Sequence, residues 1–341
     1  MTVGLIYTGG TVGHRPSARL GEPETRDLKA FLTLLKRRLP DAYWPVAWQA
    51  EAVAVRMSED RVPGDWSVLA SEVDRQIRRG AAGVVLAHGT DTLIYTACAL
   101  KALLRGVPVP VVLTGARRPL SHPRTDAVQN LAQAFRLAQE KDRPGIWIVF
   151  AGDEALNGLI LDPDNARKTA GRPDCFQPAV GDPAGRVLGT VAGEDSLRVE
   201  WTRPAGRVPS AYRPRFCVRT DVVLFRLYPG FRPVWLREAA RRGARVIVLE
   251  GYGEGTACTA PGRWDLSATV HEVVRQSVRV VLISQHGALP ALVYGSTRRL
   301  IQAGAILGRH RTAEAELAFW MCRLDDRGRT RYKPAKGKER M

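Results

Sequence analysis

The chain has 341 residues, 45% of them hydrophobic and 25% charged, and its 51 Lys and Arg against 34 Asp and Glu give a formal charge of +17. Such a composition excludes a disordered or collagen-like polymer and leaves room for more than one packed domain. No window approaches the roughly 18 consecutive apolar residues of a membrane span. Five scattered cysteines (Cys98, Cys175, Cys217, Cys258, Cys322) with no CxxC pair argue against a disulfide framework or a structural zinc site.

The first apolar run, residues 3–7, starts so near the N-terminus that neither a signal segment nor a leader is expected, and the expected compartment is the cytoplasm. This run stops at Thr8-Gly9-Gly10-Thr11-Val12-Gly13. Residues 54–57 form a second strand-like run. Trp66, Leu69, Ala70, Val73 and Ile77 then recur at helical spacing over 65–79, before Gly80. Residues 83–87 form another buried strand, ending at His88-Gly89-Thr90-Asp91-Thr92, and a helix is expected over 91–105. Strand 109–113 leads into Thr114-Gly115-Ala116 and a helix over 125–139 with Val128, Leu131, Phe135 and Ala138 on one face. A further strand is expected at 146–150 and a hairpin over 186–201.

Residues 202–214 hold three prolines and three arginines with no apolar period, which predicts a linker. Beyond it, strands are expected at 222–227, 246–249 and 280–283, and helices near 235–242, 266–276, 297–307 and 312–322. The division is therefore an N-terminal catalytic domain over 1–201, a linker over 202–214, a C-terminal α/β domain over 215–326 and a basic flexible tail over 327–341.

Strands buried on both faces read as unbroken apolar runs, and ligands collect at the carboxyl ends of such strands in a parallel sheet. Thr11 and Thr90 are thereby expected at one pocket. Thr11 would need a neighbour to take its proton before acting as a nucleophile. Gly9 and Gly10 could instead make a plain turn, and without a following Gly-Lys-Ser/Thr they do not read as a phosphate loop. Asp91 could cap its helix or aim a carboxylate at a cationic group. His88 reads as a packed imidazole before it reads as a base. Asp126 could cap its helix and Asn130 tie a neighbouring loop. Asp153 and the run 162–168 could deliver one ammonium to the cleft, where Lys168 could act as a base, although by itself it reads as a solvated surface residue. Residues 251–255 have the wrong spacing for a dinucleotide fingerprint, because Thr256 stands where the last glycine should be.

Taken in order, these motifs, with Met57-Ser58-Glu59-Asp60 before Trp66, Arg117-Arg118-Pro119 after Ala116, and the glycine turn at 251–255, resemble the bacterial-type L-asparaginases over nearly the whole chain. The resemblance implies an α/β, two-domain asparaginase-like fold, with a larger N-terminal, mostly parallel sheet flanked by helices and a smaller C-terminal α/β domain. It implies a small-molecule amide substrate, no cofactor, no metal, and a homodimer or homotetramer whose partner subunit completes the site. Thr11 would be the nucleophile; Thr90, Asp91 and Lys168 the second catalytic group; and Gly10, Ser58, Glu59, Gly89, Thr90, Asp91 and Ala116 the substrate contacts. Backbone N–H groups of the His88-Gly89-Thr90 turn would form the oxyanion site.

Three departures from the family pattern bear on substrate. Residues 14–28 carry no tyrosine, Glu59 replaces the usual glutamine, and Thr256 replaces an asparagine. The spacing beyond Lys168 is one residue short, so Arg167 competes for the lysine's place. The leading expectation is hydrolysis of the side-chain amide of L-asparagine or a close derivative. The alternatives are a specialised amide or imide hydrolase, an RNA-associated ammonia-supplying amidotransferase-type subunit suggested by the +17 charge, and a non-catalytic ligand sensor. Because the arginines are spread evenly and no RNA-binding motif accompanies them, an arginine-rich surface is preferred to a nucleic-acid footprint.

Overall fold

The structure, a computed structural model, describes residues 1–15, 24–151, 157–169, 175–179, 187–193, 196–202, 211–287, 292–310 and 312–323. Asp153, most of the expected linker and the basic tail lie outside these residues.

The first sheet begins with strands β1 (Thr2–Tyr7), β2 (Ala47–Ala52), β3 (Ala81–Ala87), β4 (Pro110–Thr114) and β5 (Gly145–Phe150), all but β2 arising from the expected apolar runs. All five are parallel, in the order β2-β1-β3-β4-β5. Three antiparallel strands extend the sheet to eight: β6 (Gly158–Leu161), then β9 (Gly189–Ala192) and β10 (Arg198–Trp201), the last two being the expected hairpin. Between β6 and β9 the chain makes a separate ladder of β7 (Ala166–Lys168) and β8 (Phe176–Pro178). Helices α1 (Leu28–Arg38), α2 (Pro63–Arg78), α3 (Leu93–Leu103) and α4 (Ala127–Leu137) cover the sheet. The predicted face of α2 is the face that packs, with Leu69, Ala70 and Val73 fully buried.

The strand expected at 54–57 is displaced. The strand is β2, and residues 53–57 instead carry the chain over the sheet edge, with Ala54 at φ 46°. β2 is an edge strand whose residues are only half-buried or exposed, so it lacks the continuous apolar run of its neighbours. Its position also sets the topology. The chain leaves β1 to one side for β2 and then crosses to β3 on the other, so a crevice opens beyond the carboxyl ends of β1 and β3.

The second, smaller sheet is wholly parallel: β11 (Val222–Arg226), β12 (Val246–Gly251), β13 (Arg279–Ser284) and β14 (Ile306–Leu307). It is accompanied by α5 (Val234–Arg241), α6 (Leu266–Arg275), α7 (Gly295–Gln302) and α8 (Ala313–Arg323). The helix expected over 297–307 ends earlier, because Gly304 at φ 103° turns the chain into β14. At the end of the expected linker, Arg213–Pro214 pairs antiparallel with Leu104–Arg105 in a separate two-stranded ladder, pinning the crossover to the end of α3.

The largest core is shared by the two sheets. Leu100 and Leu103 of α3, Val248 of β12, Val281 of β13 and Ala318 and Trp320 of α8 belong to one buried cluster with Ile6 and Leu113. Cys98, Cys175 and Cys322 are buried, Cys217 and Cys258 are exposed, and no disulfide joins any two of them. No helix among the described residues is long and apolar enough to cross a membrane.

Candidate active site

At the end of β1 the chain turns through two left-handed glycines, Gly9 at φ 85° and Gly10 at φ 76°. A Cβ on Gly10 would lie 2.4 Å from Gly89 Cα, and one on Gly89 would lie 2.5 Å from Ser58 Oγ. The strand-end turns after β1 and β3 therefore touch through bare backbone, against the buried Ser58. Thr11 and Thr90 each follow one of the two touching glycines, which brings both threonines to the same crevice. Thr11 opens a short 3₁₀ turn (Thr11–Gly13), and its hydroxyl has no hydrogen-bond partner among the described residues.

The second threonine is fully engaged. Lys168, at the end of β7, donates from Nζ to Thr90 Oγ1 at 2.9 Å and forms an ion pair with the Asp91 carboxylate. Arg167 points elsewhere, its guanidinium reaching the backbone carbonyl of Gln285 at 3.1 Å. Neighbouring strand residues face opposite ways, so only one of the two competing cations can reach the crevice, and it is the lysine. Asp91 does not cap α3, since the helix begins after Thr92 with no side-chain cap; Thr92 Oγ1 donates instead to Ser58 O at 2.8 Å, and Asp91 N–H donates to Ser58 Oγ at 3.3 Å. The N–H groups of Gly89 and Thr90 are not taken up by any described residue.

The supporting groups have structural work. His88 is fully buried; its Nδ1 lies 2.6 Å from the Gly89 carbonyl and its Nε2 lies 3.0 Å from Thr96 Oγ1. A carbonyl can only accept, so Nδ1 carries the proton and Nε2 accepts from Thr96. Burial, aided by nearby Arg61, pushes the His88 pKa down to about 3, so the ring is a neutral strut. Asp126 does not cap α4. Its carboxylate accepts the N–H groups of Arg117 and Arg118, while Asn130 bridges the Gly115 carbonyl and the Ala151 N–H. Together they fix the loop carrying the buried Ala116. Glu59 is exposed beside Ser58 in the turn Ser58–Asp60. Tyr7, the nearest phenol in sequence to Thr11, donates to Arg26 O and stacks on Phe31 in the core. It does not replace the missing loop tyrosine.

One member escaped the sequence reading. Arg61, immediately after the Ser58–Asp60 turn, donates to the carbonyls of Thr8 at 2.6 Å and Ala54 at 3.2 Å, and burial lowers its pKa to about 10. It ties the Ser58 turn to the end of β1, and an arginine at a loop exit carries no motif that would announce this.

Residues 2–203 match the family described as Asparaginase, N-terminal, and residues 221–330 match the Glutaminase/Asparaginase C-terminal domain. The chain belongs to the asparaginase family. This family member is 30% identical over 339 residues to a subunit of the glutamyl-tRNA(Gln) amidotransferase of Halobacterium salinarum, covering 95% of the chain and 76% of that relative. It is 28% identical to the corresponding amidotransferase subunit of Aeropyrum pernix, covering 92% of the chain and 72% of that relative. Among solved structures, the thermostable L-asparaginase from Thermococcus kodakarensis superposes with a TM-score of 0.78 at 30% identity, covering 95% of the chain and 93% of its own. A probable cytoplasmic L-asparaginase from Campylobacter jejuni, at 21% identity and a TM-score of 0.74, shares the fold over 96% of both chains.

Proposed function

We propose that this asparaginase-family amidohydrolase cleaves the side-chain amide of L-asparagine, or a close derivative, in two acyl-transfer steps. The observation that carries the reading is the Thr90–Lys168–Asp91 cluster facing a second, unengaged threonine across touching glycines. Thr11 Oγ attacks the amide carbon, its proton passes to the leaving nitrogen, and the C–N bond breaks to release ammonia. Water, oriented by Thr90 and the Lys168–Asp91 pair, then adds to the ester, freeing aspartate and returning the proton to Thr11. The unpaired N–H groups of Gly89 and Thr90 suit the negative charge that develops on the carbonyl oxygen. Ser58, Glu59 and Asp91 line the end that would hold the α-carboxylate and α-ammonium, and Gly10 and Ala116 the floor. A homodimer or homotetramer, with a partner subunit closing the open side, fits the exposure of Asp91, whose side chain is 60% exposed.

The test is ammonia release by the purified protein, with Thr11→Ala expected to abolish it. A wild-type protein that leaves asparagine, glutamine and their N-substituted forms untouched overturns the reading at the level of the reaction. A second reading, an ammonia-supplying subunit of a tRNA-dependent amidotransferase, is supported by the names of the Halobacterium and Aeropyrum relatives and by the +17 charge. Retention on tRNA at about 0.15 M salt with a steep salt slope supports it, and no retention removes it.

A further inference from the structure

The ammonium of Lys168 is delivered by a strand with little backbone support of its own. β7 has three residues and pairs with β8 in a two-stranded ladder apart from both sheets. Such a pair is marginal in water unless one face is packed. Residues directly opposite each other share a face, so Ala166, Lys168 and Phe176 lie on one side of the ladder and Arg167 on the other. Ala166 and Phe176 are buried in the shared core, with Phe176 edge-on to Phe150 at 5.0 Å. The turn before β7 is tied to α3, where Cys98 Sγ donates to Pro163 O at 3.3 Å and Lys101 Nζ pairs with Asp162 and Asp164. These contacts hold the entry and one face of the ladder.

The other face is held from the second domain. Arg167 Nη2 donates to the backbone carbonyl of Gln285 at 3.1 Å, and among the described residues this is the one hydrogen bond from β7 to that domain. A guanidinium donor makes it a charge-assisted bond, stronger than one between neutral groups. The acceptor is itself braced. Gln285, the residue after β13, donates from its backbone N–H to Gly251 O at 2.9 Å, and from Nε2 to Leu227 O at 2.7 Å and Glu250 O at 3.2 Å. One residue thereby ties together the carboxyl ends of β11, β12 and β13, and its own carbonyl faces Arg167 from a fixed place.

We infer that Arg167 is a positioning residue, through which the braced Gln285 carbonyl of the second domain holds Lys168 Nζ in register with Thr90 and Asp91. Arg167 makes no hydrogen bond to either threonine among the described residues and acts through its neighbour. The inference rests on the acyl-transfer reading of the site, in which Lys168 serves the step where water opens the ester. A ladder loosened on its outer face would let the 2.9 Å contact between Lys168 Nζ and Thr90 Oγ1 lengthen, and a misplacement of about 1 Å can cost about 10²-fold in rate.

The test is Arg167→Met in the full-length protein, with asparagine as substrate. Steady-state ammonia release should fall about 10- to 100-fold. An initial burst of ammonia stoichiometric with the enzyme should precede it, because attack by Thr11 is spared and the ester accumulates. Arg167→Lys, which keeps a charged donor, should restore most of the rate, and Gln285→Met, which removes two braces from the accepting residue, should reproduce the burst. Wild-type turnover by Arg167→Met or Gln285→Met, a slowed Arg167→Met without a burst, or no recovery in Arg167→Lys overturns the inference. A wild-type protein that releases no ammonia overturns the acyl-transfer reading instead, and the placement of the lysine is then decided without substrate. Acetylation of Lys168 by an N-hydroxysuccinimide ester, followed by peptide mass, should be several-fold faster in Arg167→Met than in wild type, and equal rates overturn the positioning role whatever the reaction.

Discussion

The fully buried, neutral His88 makes acid stability the sharpest test of how the crevice is braced. In the folded protein its pKa sits at about 3, against 6.5 for an ordinary histidine. The unfolded chain therefore takes up a proton between these values that the folded chain refuses. The stabilisation from the neutral ring is complete above pH 6.5 and is lost as pH falls, levelling off near pH 3. Each pH unit in that window costs about 1.4 kcal/mol, so lowering the pH from 6.5 to 4 removes about 3 kcal/mol, a large share of a typical folding free energy. His88→Asn keeps a donor for the Gly89 carbonyl and has nothing to titrate. Urea unfolding of both proteins at pH 7.5 and pH 4 should show wild type losing about 3 kcal/mol more than the variant. The carboxylates contribute equally to both and cancel. Equal losses would show that His88 is solvated or charged, and the strut assignment would fail.

Three further outcomes follow from the same geometry. Lys168→Met should lower kcat by about 10²- to 10⁴-fold in an ammonia-release assay with little change in thermal unfolding; wild-type turnover would remove the lysine from the chemistry. Gly89→Ala places a Cβ 2.5 Å from Ser58 Oγ, an overlap expected to cost about 1–3 kcal/mol by thermal or urea unfolding, and unchanged stability would mean that the two turns do not touch as described. Lys101→Met strips the countercharge from Asp162 and Asp164, which are partly solvated, so the cost should be about 2 kcal/mol rather than the 3–5 of a fully buried pair. Because the Asp162 turn runs directly into the strand carrying Lys168, kcat should fall as well with KM preserved; unchanged kcat would uncouple the two ends of α3.

Much of the site was legible because its residues lie where buried strands stop. Runs such as 83–87 announce their own ends, and glycines beside threonine mark turns that a ligand can approach. The choice between Arg167 and Lys168 was not legible, because it depends on which face of a three-residue strand meets Thr90, and a one-residue shift exchanges the faces. The edge strand β2 escaped for want of a continuous apolar run, and α1 because it buries only Phe31 and Leu35 among its eleven residues. Asp91 and Asp126 both stood where caps are common, yet the structure turns both carboxylates to other partners, Lys168 for one and the loop amides of Arg117 and Arg118 for the other. Local propensity cannot foresee a partner brought in from 77 residues away.

Helix α8, the last element described, lays Ala318 and Trp320 into the core that also holds Ile6 of the first strand. During synthesis α3, the helix on which α8 packs, must therefore wait with an oily flank uncovered until the final helix arrives, a period in which a growing chain is vulnerable to sticking to its neighbours. Holdase chaperones would find their substrate in that interval, and full protection of α3 against deuterium exchange should appear only in chains long enough to include residue 323.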